Sequence, residues 1–118
     1  MAFKFERFIV WQKAVVLSDM INQLVKTFPA DERYVLSSQI KRAADSVSLN
    51  IAEGSTGQTN PEYKKFVGYA IRSDIEVVGC LHLARSRRYI QPEDFEKIYQ
   101  LCEELLAMLN SLRNYLDN

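Results

Sequence analysis

Apolar residues along this chain recur in steps of three and four, the spacing that keeps side chains on one side of a helix. Val10, Ala14, Leu17, Ile21, Leu24 and Phe28 predict a first helix, closed by Pro29 soon after Thr27. Leu36, Ile40, Ala43, Val47 and Ile51 predict a second helix, reaching Ala52 or Glu53, with Gly54 ending it as a C-cap glycine. Between the two, Pro29-Ala30-Asp31-Glu32 reads as a short connection with Asp31 as N-cap. After the polar run Ser55 to Asn60, Asn60 as N-cap and Pro61 as first helical residue open a third helix that runs to Arg87 or Arg88. Its seam is Tyr63, Phe66, Val67, Ala70, Val77, Val78, Leu81 and Ala84. Pro92 opens the fourth, whose seam Phe95, Ile98, Cys102, Leu105, Leu109, Leu112 and Leu116 is unbroken. No run alternates with period two for long enough to make a strand. Short links make successive helices antiparallel neighbours. The pattern therefore predicts an all-α fold, an antiparallel up-down-up-down four-helix bundle, with residues 1–118 as one domain.

Two features do not fit a plain bundle. Beside the seam of the second helix runs a polar stripe, Gln39, Arg42, Ser46, Asn50 and Glu53, again in threes and fours. Such a stripe is either a solvated flank or a set of hydrogen bonds fixing helix register, or else an interaction surface. Partial burial beside the seam predicts that Arg42, Asn50 and Glu53 bond to the third helix or to another subunit. In the middle of the third seam stands Asp74, which burial would force to be paired, hydrated or protonated. Arg42, Asn50 and Arg85 are its candidate partners.

Apolar residues are also left over. Ile9, Val16 and Met20, then Val35 and Leu49, then Tyr69, Cys80 and Leu83 lie off the seams yet recur at helical spacing. Stripes of this kind mark association surfaces, and stripes on opposite sides of a bundle close into a ring. Gly68 and Gly79, about three turns apart, would let a second backbone approach. Val16, Met20, Leu49, Gly68 and Gly79 are the expected contacts of a homo-oligomer.

Charge narrows the choice of partner. Fifteen lysines and arginines balance fifteen aspartates and glutamates, so a nucleic-acid partner needs a local patch. Lys64, Lys65, Arg85, Arg87 and Arg88 are the candidates, with Lys41 and Arg42 nearby and Tyr63, Tyr69 and Tyr89 available for stacking on RNA or DNA bases. No segment approaches membrane-span length, and Cys80 and Cys102 lack metal-site spacing. They read as free buried thiols of a cytoplasmic protein. The single histidine, His82, has no partner that spacing identifies, no Glu-x-x-His pairs occur, and AEGSTGQTN lacks the lysine of a phosphate loop. The expectation is a protein that is not an enzyme and holds no cofactor and no metal.

LSSQIKRAADSVSLNIAEG, followed by a polar loop and EYKKFVGYAIRSDIEV, resembles the small bundle proteins encoded in intervening sequences of bacterial 23S ribosomal RNA genes. Gln39, Arg42, Ala43, Ala44, Ser46, Asn50, Ile51, Ala52, Glu53 and Gly54 carry the likeness, supported by Phe66, Ala70, Ser73 and Glu76. Phe28, Pro29, Glu32 and Leu36 and the early Trp11-Gln12-Lys13-Ala14 extend it over almost the whole chain. Arg72 stands where that family often has glycine, and Asp74 where it usually has a small or apolar residue. The resemblance implies a four-helix bundle associating as a ring, commonly a pentamer. It also implies kinship with the nucleic-acid-binding accessory bundles of diversity-generating retroelements. The family's polar residues coincide with the stripe of the second helix.

Overall fold

The computed structural model describes residues 2–56 and 59–117. Four helices make up the fold: α1 (Ile9–Leu24), α2 (Leu36–Gly54), α3 (Asn60–Ser86) and α4 (Pro92–Leu116). Single 3₁₀ turns cover Lys4–Arg7, Val25–Thr27 and Ala30–Glu32. α1 packs on α2 and α4, and α3 packs on the same two, so α1 and α3 are diagonal across a rod of 44 × 23 × 22 Å. No strand occurs among the described residues. The antiparallel bundle is the arrangement that the four seams require, since each helix buries one stripe against two neighbours.

The core follows those seams closely. Ala14, Leu17 and Ile21 of α1 meet Ile40, Val47 and Ile51 of α2, Val67, Val77 and Leu81 of α3, and Leu105 and Leu109 of α4 in one cluster. On α3 the buried stripe is rotated relative to the expected seam. Ile71 and Cys80 are buried beside Asp74, which the expected seam already held, whereas Tyr63, Phe66 and Val78 are only half-buried. Cys80, assigned to an outer surface by spacing, therefore belongs to the core; both cysteines are buried free thiols.

Helix ends differ from the sequence reading where a side chain found a better partner. Asp31 is not the N-cap of α2, because residues 30–32 form a turn and the helix starts at Leu36. There Glu32 Oε1 accepts the Leu36 N–H at 3.4 Å. Thr59, not Asn60, caps α3, its hydroxyl accepting the Glu62 N–H at 3.3 Å, and this puts Pro61 in the first turn. Of the polar loop before it, residues 57 and 58 lie outside the described residues. Gly54 is the last residue of α2 and works differently from a C-cap glycine. A Cβ there would stand 2.8 Å from Phe66 Cβ and 2.9 Å from Tyr63 Cδ1, so the missing side chain lets α3 close against the end of α2.

At the far end of the bundle, α3 finishes in a Schellman turn. Tyr89 N–H bonds to Ala84 O at 2.8 Å and Arg88 N–H to Arg85 O at 3.0 Å, with Arg88 at φ 62°. That turn delivers Tyr89 and Arg87 to Glu32. The Tyr89 hydroxyl donates to Glu32 Oε2 at 2.9 Å and Arg87 Nη1 lies at 3.1 Å, tying the end of α3 to the entrance of α2. The Tyr89 bond, with help from Leu36 N–H and Arg87, holds the Glu32 carboxyl below its ordinary range.

Candidate functional site: the α2–α3 face

The polar stripe of α2 lies along the α2–α3 seam, and only part of it is anchored. Ser73 on α3 donates to Ser46 Oγ at 3.0 Å. Asn50 Nδ2 donates to the same Ser46, to its carbonyl at 2.8 Å and its hydroxyl at 2.9 Å. Gln39 Nε2 reaches Glu76 Oε2 on α3 at 3.3 Å. These bonds fix the register of α2 on α3. Arg42 and Glu53, expected to bond to α3 or to another subunit, are exposed and bond to nothing among the described residues of this chain. Asn50 bonds within its own helix rather than across to α3.

Exposed apolar residues collect on the outer side of α2 and α3. Val35, just before α2, and Leu49 on α2 are 59% and 61% exposed, and Arg42 lies one heptad before Leu49. On α3, Gly68, Arg72, Ile75, Gly79 and Leu83 step by four, three, four and four, so they form one outward line, flanked by Tyr69 and Glu76. Ile75 and Leu83 are 55% and 46% exposed. Nothing lies within 4 Å of a Cβ built on Gly68 or Gly79, so neither glycine serves packing inside the subunit. Ile75 was missed in the sequence because it adjoins Asp74 and matched neither stripe. The other expected contacts behave differently. Val16 is exposed on α1, on the opposite side of the bundle from the α3 line, but Met20 is half-buried against the core in the α1–α4 groove.

The five candidate nucleic-acid cations do not form one patch on the subunit. Lys64 and Lys65 sit at the start of α3 and Arg85, Arg87 and Arg88 at its end, roughly 30 Å away at 1.5 Å per residue. Lys64 pairs with Asp117 and Arg87 with Glu32. Arg85 stacks 4.1 Å from the Phe95 ring centroid and bonds to His82 Nδ1 at 3.0 Å. Lys65 and Arg88 remain exposed and unpaired among the described residues.

Asp74 is buried, at 1% exposure, and its partner is none of the three candidates. It faces the Cys102 thiol of α4, and its Oδ1 has no hydrogen-bond partner. Burial pushes its carboxyl up from 3.8 to about 7, with Cys102 opposing the rise. The Cys102 thiol is itself pushed up by burial and by the adjacent carboxylate, so it is a poor nucleophile. His82 lies edge-on to Phe95 and Tyr99, packed as an aromatic at the rim of α3 and α4. Among the described residues no three His, Cys, Asp or Glu side chains gather as a metal site would need, and no helix is long and apolar enough to cross a membrane.

The four helices form an antiparallel bundle with a polar seam between α2 and α3 and exposed apolar residues on the outer side of those two helices. The chain belongs to the family described as 23S rRNA-intervening sequence protein, which matches residues 6–111. It is also similar to a solved structure of a protein with unknown function from the S23 ribosomal protein family of Bacteroides thetaiotaomicron. Identity there is 26%, the TM-score is 0.82, and the match covers 89% of this chain and 98% of that one. No curated protein matches this chain.

Proposed function

We propose that this chain is a non-enzymatic building block of a homo-oligomeric ring, joined through the outer face of α2 and α3, which binds RNA or DNA through cations repeated on its rims. One observation carries the association: the outward line of α3, with Ile75 and Leu83 exposed and Gly68 and Gly79 unfilled, beside Leu49 of α2 and Val35 at its entrance. Single exposed apolar residues are ordinary, but a contiguous face with room for close backbone approach is suited to another helix. Arg42, Asp45, Arg72 and Glu76 place both signs of charge on this face, which suits a second copy of the same chain better than a partner of one charge. Val16 faces the other way, on the helix diagonal to α3, which favours head-to-tail contact and ring closure over a twofold dimer. The family resemblance favours five subunits, and two buried reduced thiols suit the cytoplasm.

Nucleic-acid binding draws support from Arg88. It holds the left-handed position of the Schellman turn, where glycine is the favoured residue, and keeps its guanidinium exposed. Rotational symmetry would repeat Arg88 on one rim of a ring and Lys65 on the other, gathering charges that one subunit keeps apart. Light scattering of the purified protein, then salt-dependent titration with single- and double-stranded RNA and DNA, tests both parts. A ring that binds none of these at low salt would leave the association standing as a purely structural assembly.

A further inference from the structure

The corner where α1 turns into α2 carries a hollow of about 310 Å³, small for a ligand pocket. Three separate segments bring cations to it: Lys26 from the turn after α1, Arg33 from the connection, and Lys41 from α2. No acidic residue lines it. None of the three cations has an ion pair among the described residues; Arg33 only stands 5.7 Å over the Tyr34 ring. The nearest carboxylate in sequence, Glu32, is turned away and committed to Arg87, Tyr89 and the Leu36 N–H. Asp31 lies in the same turn without lining the hollow, and Asp45 stands one turn beyond Lys41 on α2.

Ser37 supplies an independent observation. It lines the hollow, is only 7% exposed, and its hydroxyl has no hydrogen-bond partner among the described residues. Its backbone N–H belongs to the first turn of α2, where intrahelical acceptors are lacking, and no bond outside the helix takes it. An unpartnered hydroxyl open to the hollow, an orphan N–H at the positive end of a helix and three cations along the lining form an arrangement complementary to a tetrahedral oxyanion. Phe28, Pro29 and Val25 give the hollow an apolar wall on which the organic part of a ligand can rest.

We propose that this corner is a phosphate-binding site, separate from the α2–α3 outer face and from the cations at the ends of α3. A phosphorylated small molecule and a nucleic-acid backbone offer the same group, and experiment separates them. The probes are inorganic phosphate and a short single-stranded RNA without terminal phosphate, each titrated into the ¹⁵N-labelled protein at constant ionic strength. Saturable shifts at the amides of Ser37 and Lys41 are expected with phosphate. The same amides responding to the RNA assign the site to a nucleic-acid backbone; response to phosphate alone assigns it to a phosphorylated small molecule. Arg33→Glu with Lys41→Glu should weaken binding by roughly tenfold or more. Ser37→Ala, which alters no charge, should weaken it several-fold while the helical circular dichroism stays unchanged. Absence of saturable shifts with either probe would overturn the site. So would identical shifts from chloride, or an affinity unchanged in the charge-reversed protein.

Discussion

Asp74 of α3 faces the Cys102 thiol of α4 at the centre of the bundle, and one of its carboxyl oxygens is left without a hydrogen bond. A carboxyl in that position is more easily kept neutral than charged. Its pKa is higher in the folded than in the unfolded chain, so the folded state binds the extra proton between the two values. Stability should therefore fall as pH rises from the ordinary 3.8 towards about 7, and level off above that. The rise corresponds to at most roughly 4 kcal/mol. Asp74→Asn, which mimics the neutral form, should flatten this dependence and raise stability at pH 8 by on the order of 1–3 kcal/mol. Urea midpoints of both proteins across pH 4–8 measure it; a wild-type midpoint that rises with pH across this range would refute it.

Gly54 and the two glycines of the outer α3 line should respond in opposite ways to the same substitution. Gly54→Ala forces a Cβ into contact with Phe66 and Tyr63 and should destabilise the fold by about 1–3 kcal/mol. Gly68→Ala and Gly79→Ala meet open space within the subunit, and each should stabilise the helix by about 0.5–1 kcal/mol. If copies pack over that line, these two variants should also associate more weakly. Thermal melts combined with sedimentation separate the two effects.

On the polar stripe, Arg42→Ala and Glu53→Ala should change stability by no more than about 0.5 kcal/mol, because both side chains are exposed and unbonded. Ser46→Ala removes the acceptor shared by Ser73 and Asn50 and should cost about 1–2 kcal/mol. Equal losses at Arg42 and Ser46 in chemical denaturation would show that the stripe acts as one unit in the assembled protein.

RNA or DNA affinity, if carried by the rims, should fall steeply with salt through counterion release. Arg88→Glu and Lys65→Glu should each lower it without altering the melting temperature, since neither side chain has a partner to lose. Filter binding at two salt concentrations checks this, and affinity indifferent to both reversals would exclude the rims.

The fold was legible because the seams of α1, α2 and α4 run unbroken at steps of three and four, and burial on these helices follows them almost residue for residue. The phase of α3 was harder to read. Cys80, an ambiguous type, turned inward, while Ile75, a residue normally assigned to a core, turned outward. Spacing grouped the α2 stripe without showing which members bond: Gln39 reaches Glu76 and Ser46 meets Ser73, whereas Arg42 and Glu53 stay exposed. The cations of α3 were grouped by residue type, and the length of the helix separates them. The hollow beside Ser37 draws on three segments that have no common period, so only folding brings Lys26, Arg33 and Lys41 together.

The mass of the purified protein in solution tests the α2–α3 association most directly. Light scattering at micromolar concentration should give a single species several times the 13.7 kDa chain mass. Leu49→Glu combined with Leu83→Glu should reduce it to one chain with its helical signal retained, since both side chains are exposed in the subunit. A well-behaved monomer in the wild-type protein, or an oligomer indifferent to both substitutions, would contradict it.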